Sequence, residues 1–123
     1  MPERSESIAV QRLGVVSYLN AKPLIEGLDR DPELCLRFEV PSRLAPLLDA
    51  NEVDVALVPI IEFFQPPRRW QIVSDACIAC DGETLTVRVF SRVPAQSIRR
   101  LHVDLDSRTS VALATGIMSL VSG

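Results

Sequence analysis

The chain has 123 residues, of which 47% are apolar and 24% are charged, and its formal net charge is −3. This composition is typical of a folded globular domain, so it excludes intrinsic disorder, and the length leaves no room for two full-sized domains. A slightly acidic chain with one histidine lacks a basic surface that would neutralise phosphates, so we expect no nucleic-acid partner.

Several features bear on the location of the protein. No stretch approaches the roughly 18 consecutive apolar residues of a membrane-spanning helix, so we expect a soluble protein with no membrane partner. Residues 1–7 carry two acids and a proline but no apolar segment, which argues against a secretory signal. Three cysteines cannot form a closed set of disulfides, which is typical of a reducing compartment. We therefore expect a cytoplasmic protein.

The first half of the chain alternates short apolar runs with amphipathic segments, which predicts buried strands separated by helices. The predicted strands are residues 13–17, 34–40 and 53–58. A helix over residues 21–28, with Pro23 in its first turn, follows the first strand, and a helix ending at Ala50 follows the second. Right-handed connections make such a sheet parallel, and ligands then bind at the carboxyl ends of the strands.

The second half of the chain contains further strand-like runs after a loop at Pro66 and Pro67. A turn at Asp81 and Gly82 precedes residues 84–91, in which polar and apolar side chains alternate. These patterns predict strands over residues 72–73, 76–80, 84–91 and 101–105, a turn of helix within residues 94–100, and a last helix from about residue 111 to residue 116.

The cysteines and the histidine offer a candidate metal site. Cys77 and Cys80 have the spacing of a metal knuckle, and Cys35 and His102 could complete four ligands. Their flanks are apolar and strand-like, and no second pair with this spacing exists, so we favour buried thiols over a zinc or redox site. No nucleophile pattern surrounds His102, which favours a packed or surface histidine over a general base.

Tyr18 and Asn20 directly follow the first predicted strand, so their polar groups are expected at the carboxyl edge of the sheet. The amide of Asn20 can donate and accept hydrogen bonds without carrying charge, which suits a ligand. A cap for the following helix is an equally good interpretation of Asn20.

A second polar segment lies at the start of the last predicted helix. It consists of Ser107, Arg108, Thr109 and Ser110. Main-chain N–H groups, hydroxyls and the positive end of a helix dipole would converge there, and Arg108 adds a bidentate guanidinium, which together suit a carboxylate. Simple N-capping is the alternative, but four polar residues in succession favour a ligand.

These segments carry a family resemblance. Residues 12–24, 54–62, 81–82 and 107–113 resemble, in this order, the chorismate dehydratases of menaquinone biosynthesis. The motif Y-L-N-x-x-P-L, which starts at Tyr18, is fairly specific to that group. The resemblance implies an α/β fold similar to type II periplasmic binding proteins, with a mostly parallel sheet flanked by helices and an active site between two lobes.

The resemblance also implies a reaction and a set of site residues. Members convert chorismate to 3-[(1-carboxyvinyl)oxy]benzoate in the futalosine route without a metal or an organic cofactor. Asn20 matches the family's active-site asparagine, and Thr86 falls where the family has a cleft hydroxyl. Tyr18 and residues 107–110 would bind the substrate.

Chorismate loses its C4 hydroxyl and its C3 hydrogen in this reaction. The resulting carbanion delocalises into the C1 carboxylate, so a group that binds this carboxylate also assists catalysis. No strong general base occurs among the matching positions. We hypothesise that the substrate's enolpyruvyl carboxylate takes the proton while Asn20 orients it.

Family members are longer than this chain. The resemblance therefore implies a first lobe over residues 1–91, which includes a crossing strand at residues 84–91, and an incomplete second lobe over residues 92–123. Residues 115–123 depart from the family pattern. We expect a truncated chain with impaired activity, which could self-associate through the incomplete lobe.

Two other functions stay open at this point. The chain could be a non-catalytic lobe that binds a small carboxylate, similar to solute receptors or to the effector domains of regulators. It could also be a structural half that functions only when it is paired with another chain. The expected lack of a signal peptide argues against a secreted receptor.

Overall fold

The structure is a computed structural model that describes residues 10–122. Residues 1–7, on which the prediction about a secretory signal depends, lie outside the described residues. The contacts within the chain divide it into two compact units, of which unit 1 ends at Leu57 and unit 2 begins at Val58.

Unit 1 is built on a three-stranded parallel sheet in the order β2-β1-β3. The central position of β1 explains why three successive residues, Gly14, Val15 and Val16, are buried, because both of its faces are covered. The strands are β1 (Gln11–Val16), β2 (Leu34–Glu39) and β3 (Val55–Ala56). The predicted parallel α/β sheet with helices between its strands is therefore confirmed.

The connection from β1 to β2 is less regular than the predicted helix over residues 21–28. The helix α1 (Lys22–Ile25) has one turn and lies between 3₁₀ turns at Leu19–Ala21 and Leu28–Arg30. Gly27 adopts a left-handed backbone with φ of 84°, which ends the helical path at little steric cost because glycine has no Cβ.

The helix α2 (Pro41–Asp49) packs against β1 and β3 and confirms the predicted helix after the second strand. Asn51, with φ of 55°, turns the chain at its end. The N–H groups of Asn51 and Glu52 donate to the carbonyl oxygens of Leu48 and Leu47 at 3.1 and 2.9 Å. These two bonds form a Schellman motif, which satisfies carbonyl groups that a helix end would otherwise leave unpaired.

The apolar core of the described residues lies in unit 1. The buried apolar side chains are those of Val15, Val16, Ala21, Leu44, Ala45, Leu47 and Val53. Unit 2 contains α3 (Ile60–Phe63), a 3₁₀ turn at Ala95–Ser97 and α4 (Arg108–Ser122), and α4 packs against α3. In the described part of unit 2, the buried residue is a charged one, Glu62.

The strands predicted for the second half of the chain are wrong. Residues 72–73, 76–80, 84–91 and 101–105 form no strand in the structure, and the thiols of Cys77 and Cys80 are exposed instead of buried. The Thr84 hydroxyl donates to the carbonyl oxygen of Val87 at 2.8 Å, which is a local bond within the segment. An alternating sequence fits a strand, but a strand also requires a hydrogen-bonded neighbour.

Two predictions concern the end of the chain. The predicted turn of helix within residues 94–100 is confirmed as the 3₁₀ turn at Ala95–Ser97. The last helix, predicted to stop at Gly116, continues to Ser122, because one glycine weakens a helix by only about 1 kcal/mol and does not end it. Among the residues described, no helix is both long and apolar enough to cross a membrane.

Candidate functional site

A hollow of about 470 Å³ lies at the carboxyl ends of β1 and β2 in unit 1. Its residues come from the end of β1, the turn that follows, α1 and β2. Apolar side chains form most of the wall, and the lining residues are Val16, Ser17, Tyr18, Leu19, Lys22, Ile25 and Phe38. A hollow at this edge agrees with the general rule for ligand sites in open parallel sheets.

The turn after β1 shapes the rim of the hollow. The main-chain N–H of Ser17 donates to the carbonyl oxygen of Glu39 at 3.0 Å, so the pairing of β1 with β2 extends to the rim. The N–H of Ala21 then donates to the carbonyl oxygen of Tyr18 at 3.1 Å, and Ala21 is buried. These contacts fix the turn and leave Tyr18 partly exposed at the rim.

Asn20 lies on the same turn and is exposed. The residues at the N-cap positions of the 3₁₀ turn and of α1 are Tyr18 and Ala21. Asn20 is therefore not the cap of the following helix. The structure does not support the capping interpretation, and the proposed role of Asn20 toward a ligand stays a prediction.

Lys22 lines the hollow and was missed by the sequence analysis. It is the first residue of α1, its side chain is exposed, and it is the one lysine in the sequence. Its ammonium group brings a positive charge to a mostly apolar wall. A lysine inside the Y-L-N-x-x-P-L segment was the signal that could have identified it.

Ser107, Arg108, Thr109 and Ser110 meet at the start of α4 in unit 2. The N–H of Val111 donates to the carbonyl oxygen of Ser107 at 3.0 Å, so the helix begins about three residues earlier than predicted. The hydroxyl of Thr109 accepts a hydrogen bond from the N–H of Ile61 at 3.4 Å. Thr109 therefore binds the start of α3.

Glu62 forms a charged cluster that sequence analysis did not identify. Its side chain is 2% exposed, its Oε2 accepts a hydrogen bond from Nη1 of Arg68, and its Oε1 forms an ion pair with Nε of Arg108. Arg68 also donates to the main-chain oxygen of Glu62 at 3.3 Å, and its guanidinium lies 4.7 Å from the ring centre of Trp70. We call Glu62, Arg68 and Arg108 the Glu62 cluster.

Thr86 is exposed, in a segment where the predicted strand does not form. The strand that was expected to carry its hydroxyl to a cleft is therefore missing from the structure, and the binding role of Thr86 stays a prediction.

Candidate metal ligands are dispersed in the structure. Within residues 10–122, no group of three or more His, Cys, Asp or Glu side chains could hold a metal ion. Cys35, Cys77 and Cys80 are free and exposed, and His102 is exposed as well.

A family model described as menaquinone biosynthesis matches residues 11–119, which is most of the chain. The matched range includes the hollow, the turn with Tyr18 and Asn20, and the Glu62 cluster. No solved structure matches the chain.

Proposed function

This chain belongs to the menaquinone biosynthesis family, and on this premise we propose that it is a chorismate dehydratase. The proposed reaction converts chorismate to 3-[(1-carboxyvinyl)oxy]benzoate and water in the cytoplasm, by the futalosine route. We propose further that its fold is related to type II periplasmic binding proteins. The parallel order β2-β1-β3 in unit 1 supports that relation.

The hollow at the end of β1 is the observation that carries the proposal. Its volume of about 470 Å³ lies in the range of about 300–1,000 Å³ that is usual for small-molecule sites. The side chains of Leu19, Ile25 and Phe38 offer an apolar wall to the ring of chorismate. The ammonium group of Lys22 offers a partner to a carboxylate.

In the proposed reaction, the C3–H bond of chorismate breaks and the electron pair delocalises toward the C1 carboxylate. The enolpyruvyl carboxylate takes the proton from C3. The delocalised electron pair then forms the C3–C4 double bond as the C4–O bond breaks, and the same proton passes to the departing hydroxyl, which leaves as water. Asn20 orients the accepting carboxylate through its amide, since an amide cannot itself act as the base. Correct positioning alone can supply a barrier reduction of about 7–11 kcal/mol.

The start of α4 supplies the second set of proposed binding groups. Arg108 and Ser110 lie on its first turn and Ser107 directly precedes it, where the helix dipole also favours an anion. We assign one carboxylate of the substrate to Arg108.

A non-catalytic role in binding small carboxylates is the second candidate. It is favoured by the composition of the hollow, because the described lining residues include no carboxylate or imidazole that could act as a general base. Both candidates predict carboxylate binding, but only the first predicts a product.

Calorimetric titration with chorismate, combined with a chromatographic assay for the aromatic product, tests the proposal. We expect binding together with product formation at the impaired rate expected from the sequence. Asn20→Ala lowers kcat by about 100-fold through loss of positioning, and Lys22→Met weakens binding by about tenfold. Gln71→Ala, which removes an exposed amide far along the chain from the hollow, is the control and leaves both quantities unchanged.

The outcomes separate the candidates. Heat of binding without product contradicts the dehydratase and supports the carboxylate-binding role. A chain that binds no chorismate contradicts both functions. Near-normal kcat in Asn20→Ala, in a protein that forms product, removes the role proposed for Asn20.

A further inference from the structure

We propose that Glu62 is a positioning residue, which holds Arg108 at the start of α4 so that the guanidinium can bind a carboxylate of the substrate. This inference rests on the proposed function, because it takes the substrate to be the anion that Arg108 binds. It assigns a role to a buried side chain that the reaction scheme above does not use.

Glu62 carries a buried carboxylate. A carboxylate that is 2% exposed is unfavourable unless it is paired with positive charge and hydrogen-bonded. In Glu62, each of the two carboxylate oxygens faces a different arginine. Oε2 accepts a hydrogen bond from Arg68, whereas Oε1 accepts no hydrogen bond from the described residues and contacts Arg108 through the ion pair. The charge of the carboxylate therefore draws both guanidinium groups to the same place.

The Glu62 cluster joins one acidic and two basic side chains. Arg68 is 18% exposed and is also held by the main-chain oxygen of Glu62 and by the ring of Trp70. It neutralises Glu62 in place. The cluster contains one negative and two positive charges, so it carries one net positive charge, and Arg108 is the more exposed of its two arginines.

The guanidinium group of arginine is planar and can contact two partners at once. Arg108 contacts Glu62 through Nε, and 44% of its side chain is exposed. The two terminal nitrogens of an arginine form a separate edge, which can bind a second carboxylate with two parallel hydrogen bonds. The bond between the hydroxyl of Thr109 and the N–H of Ile61 fixes the same helical turn to α3. Arg108 is thereby held at Nε, while a large part of its side chain is exposed.

A purely structural brace between α3 and α4 is the competing explanation. A brace accounts for the burial of Glu62, but one arginine would be enough to neutralise the carboxylate. It also makes no use of the exposed part of the Arg108 side chain. The brace predicts that loss of Glu62 lowers stability alone, whereas the positioning role predicts that it also weakens ligand binding.

The experiment compares Glu62→Gln, Arg108→Ala and the double variant by calorimetric titration with chorismate and by urea unfolding. We expect Glu62→Gln to weaken binding by about tenfold and Arg108→Ala by about 10- to 100-fold. Because Glu62 acts through Arg108, the double variant binds no more weakly than Arg108→Ala alone. Glu83→Gln is the matched control, since Glu83 forms an exposed ion pair with Arg88 at 3.7 Å, and it leaves affinity unchanged.

A Glu62→Gln variant that is less stable but binds chorismate with wild-type affinity overturns the proposal, and so do independent, multiplicative losses of affinity in the double variant. Should Glu62→Gln fail to fold, Glu62→Asp, which keeps the charge but shortens the side chain by one methylene, replaces it in the same titration. Weaker binding of chorismate at an unchanged free energy of unfolding supports the proposal, and wild-type affinity overturns it. A wild-type protein that binds no chorismate overturns the proposed function itself. Failure of the inference about Glu62 alone leaves wild-type binding intact, so the two failures can be distinguished.

Discussion

At the scale of single residues, Arg12 and Asp54 illustrate how one pair responds to pH. The carboxylate of Asp54 accepts hydrogen bonds from Nε, Nη2 and the main-chain N–H of Arg12 at 3.1, 2.8 and 2.8 Å. The side-chain bonds, followed by the main-chain bond, lower the pKa of Asp54 from its ordinary 3.8 to about 2. The folded form therefore holds its proton less tightly than the unfolded form does.

The stabilisation that the Arg12–Asp54 pair provides therefore depends on pH. The stabilisation is fully present above pH 3.8 and is lost as the pH falls toward 2. Asp54→Asn should therefore lose less stability than the wild type between pH 4 and pH 2, as measured by urea unfolding at a series of pH values. Arg12→Gln should reproduce most of this change because it removes the same side-chain bonds, and an unchanged slope in both variants would contradict the prediction.

At the scale of elements, two glycines in different surroundings provide a matched pair. A Cβ added at Gly14 in β1 would lie 2.8 Å from Cδ2 of the fully buried Leu44 and 3.2 Å from Cβ of Ala56. A Cβ added at Gly116 in α4 would meet no described atom within 4 Å.

The same substitution should therefore have opposite effects at the two positions. Gly14→Ala lowers the free energy of unfolding by about 1–3 kcal/mol because it overpacks the contact between β1 and α2. Gly116→Ala stabilises α4 by about 0.5–1 kcal/mol because alanine loses less backbone entropy in a helix. Urea unfolding and the helical circular dichroism signal measure both effects, and a loss of stability in Gly116→Ala would contradict this view of α4.

At the scale of the whole molecule, burial is distributed unevenly. The described apolar side chains that are buried all belong to unit 1, whereas residues 71–83 are exposed and contain no helix or strand. We expect amide hydrogen exchange to be slowest at Val15, Val16 and Leu47 and fastest across residues 71–83. Exchange followed by mass spectrometry measures this. Equal protection in both regions would contradict it, and protection that rises with protein concentration would indicate the self-association expected from the sequence.

The sequence predicted best what depends on neighbours along the chain. Val15 and Val16 are consecutive and apolar, and such runs are typical of a strand that is buried on both faces, so the three strands of unit 1 were correctly located. The strand over residues 84–91 was wrong because its pattern does not reveal whether another strand is available to pair with it. The predicted end of α4 at Gly116 was wrong because one glycine weakens a helix without ending it.

The candidate site was also predicted only in part from the sequence. The position of Tyr18 at the carboxyl edge of the sheet follows from its place directly after an apolar run, and the structure bears this location out. Glu62 was missed because its partner Arg108 is distant in sequence, and a single glutamate next to apolar residues gives no signal of its own. Lys22 was missed because Tyr18 and Asn20, in the same segment, were the residues assigned to the site.

The single lysine gives this molecule a practical property. A reagent directed at primary amines has one side-chain target in the whole sequence, apart from the chain terminus, and that target stands at the mouth of the hollow. An isotopic methyl group can thus be attached to this amine by reductive methylation, which keeps the positive charge that the proposal assigns to Lys22. The chain therefore has a natural attachment point for a reporter at the place where the ligand is proposed to bind.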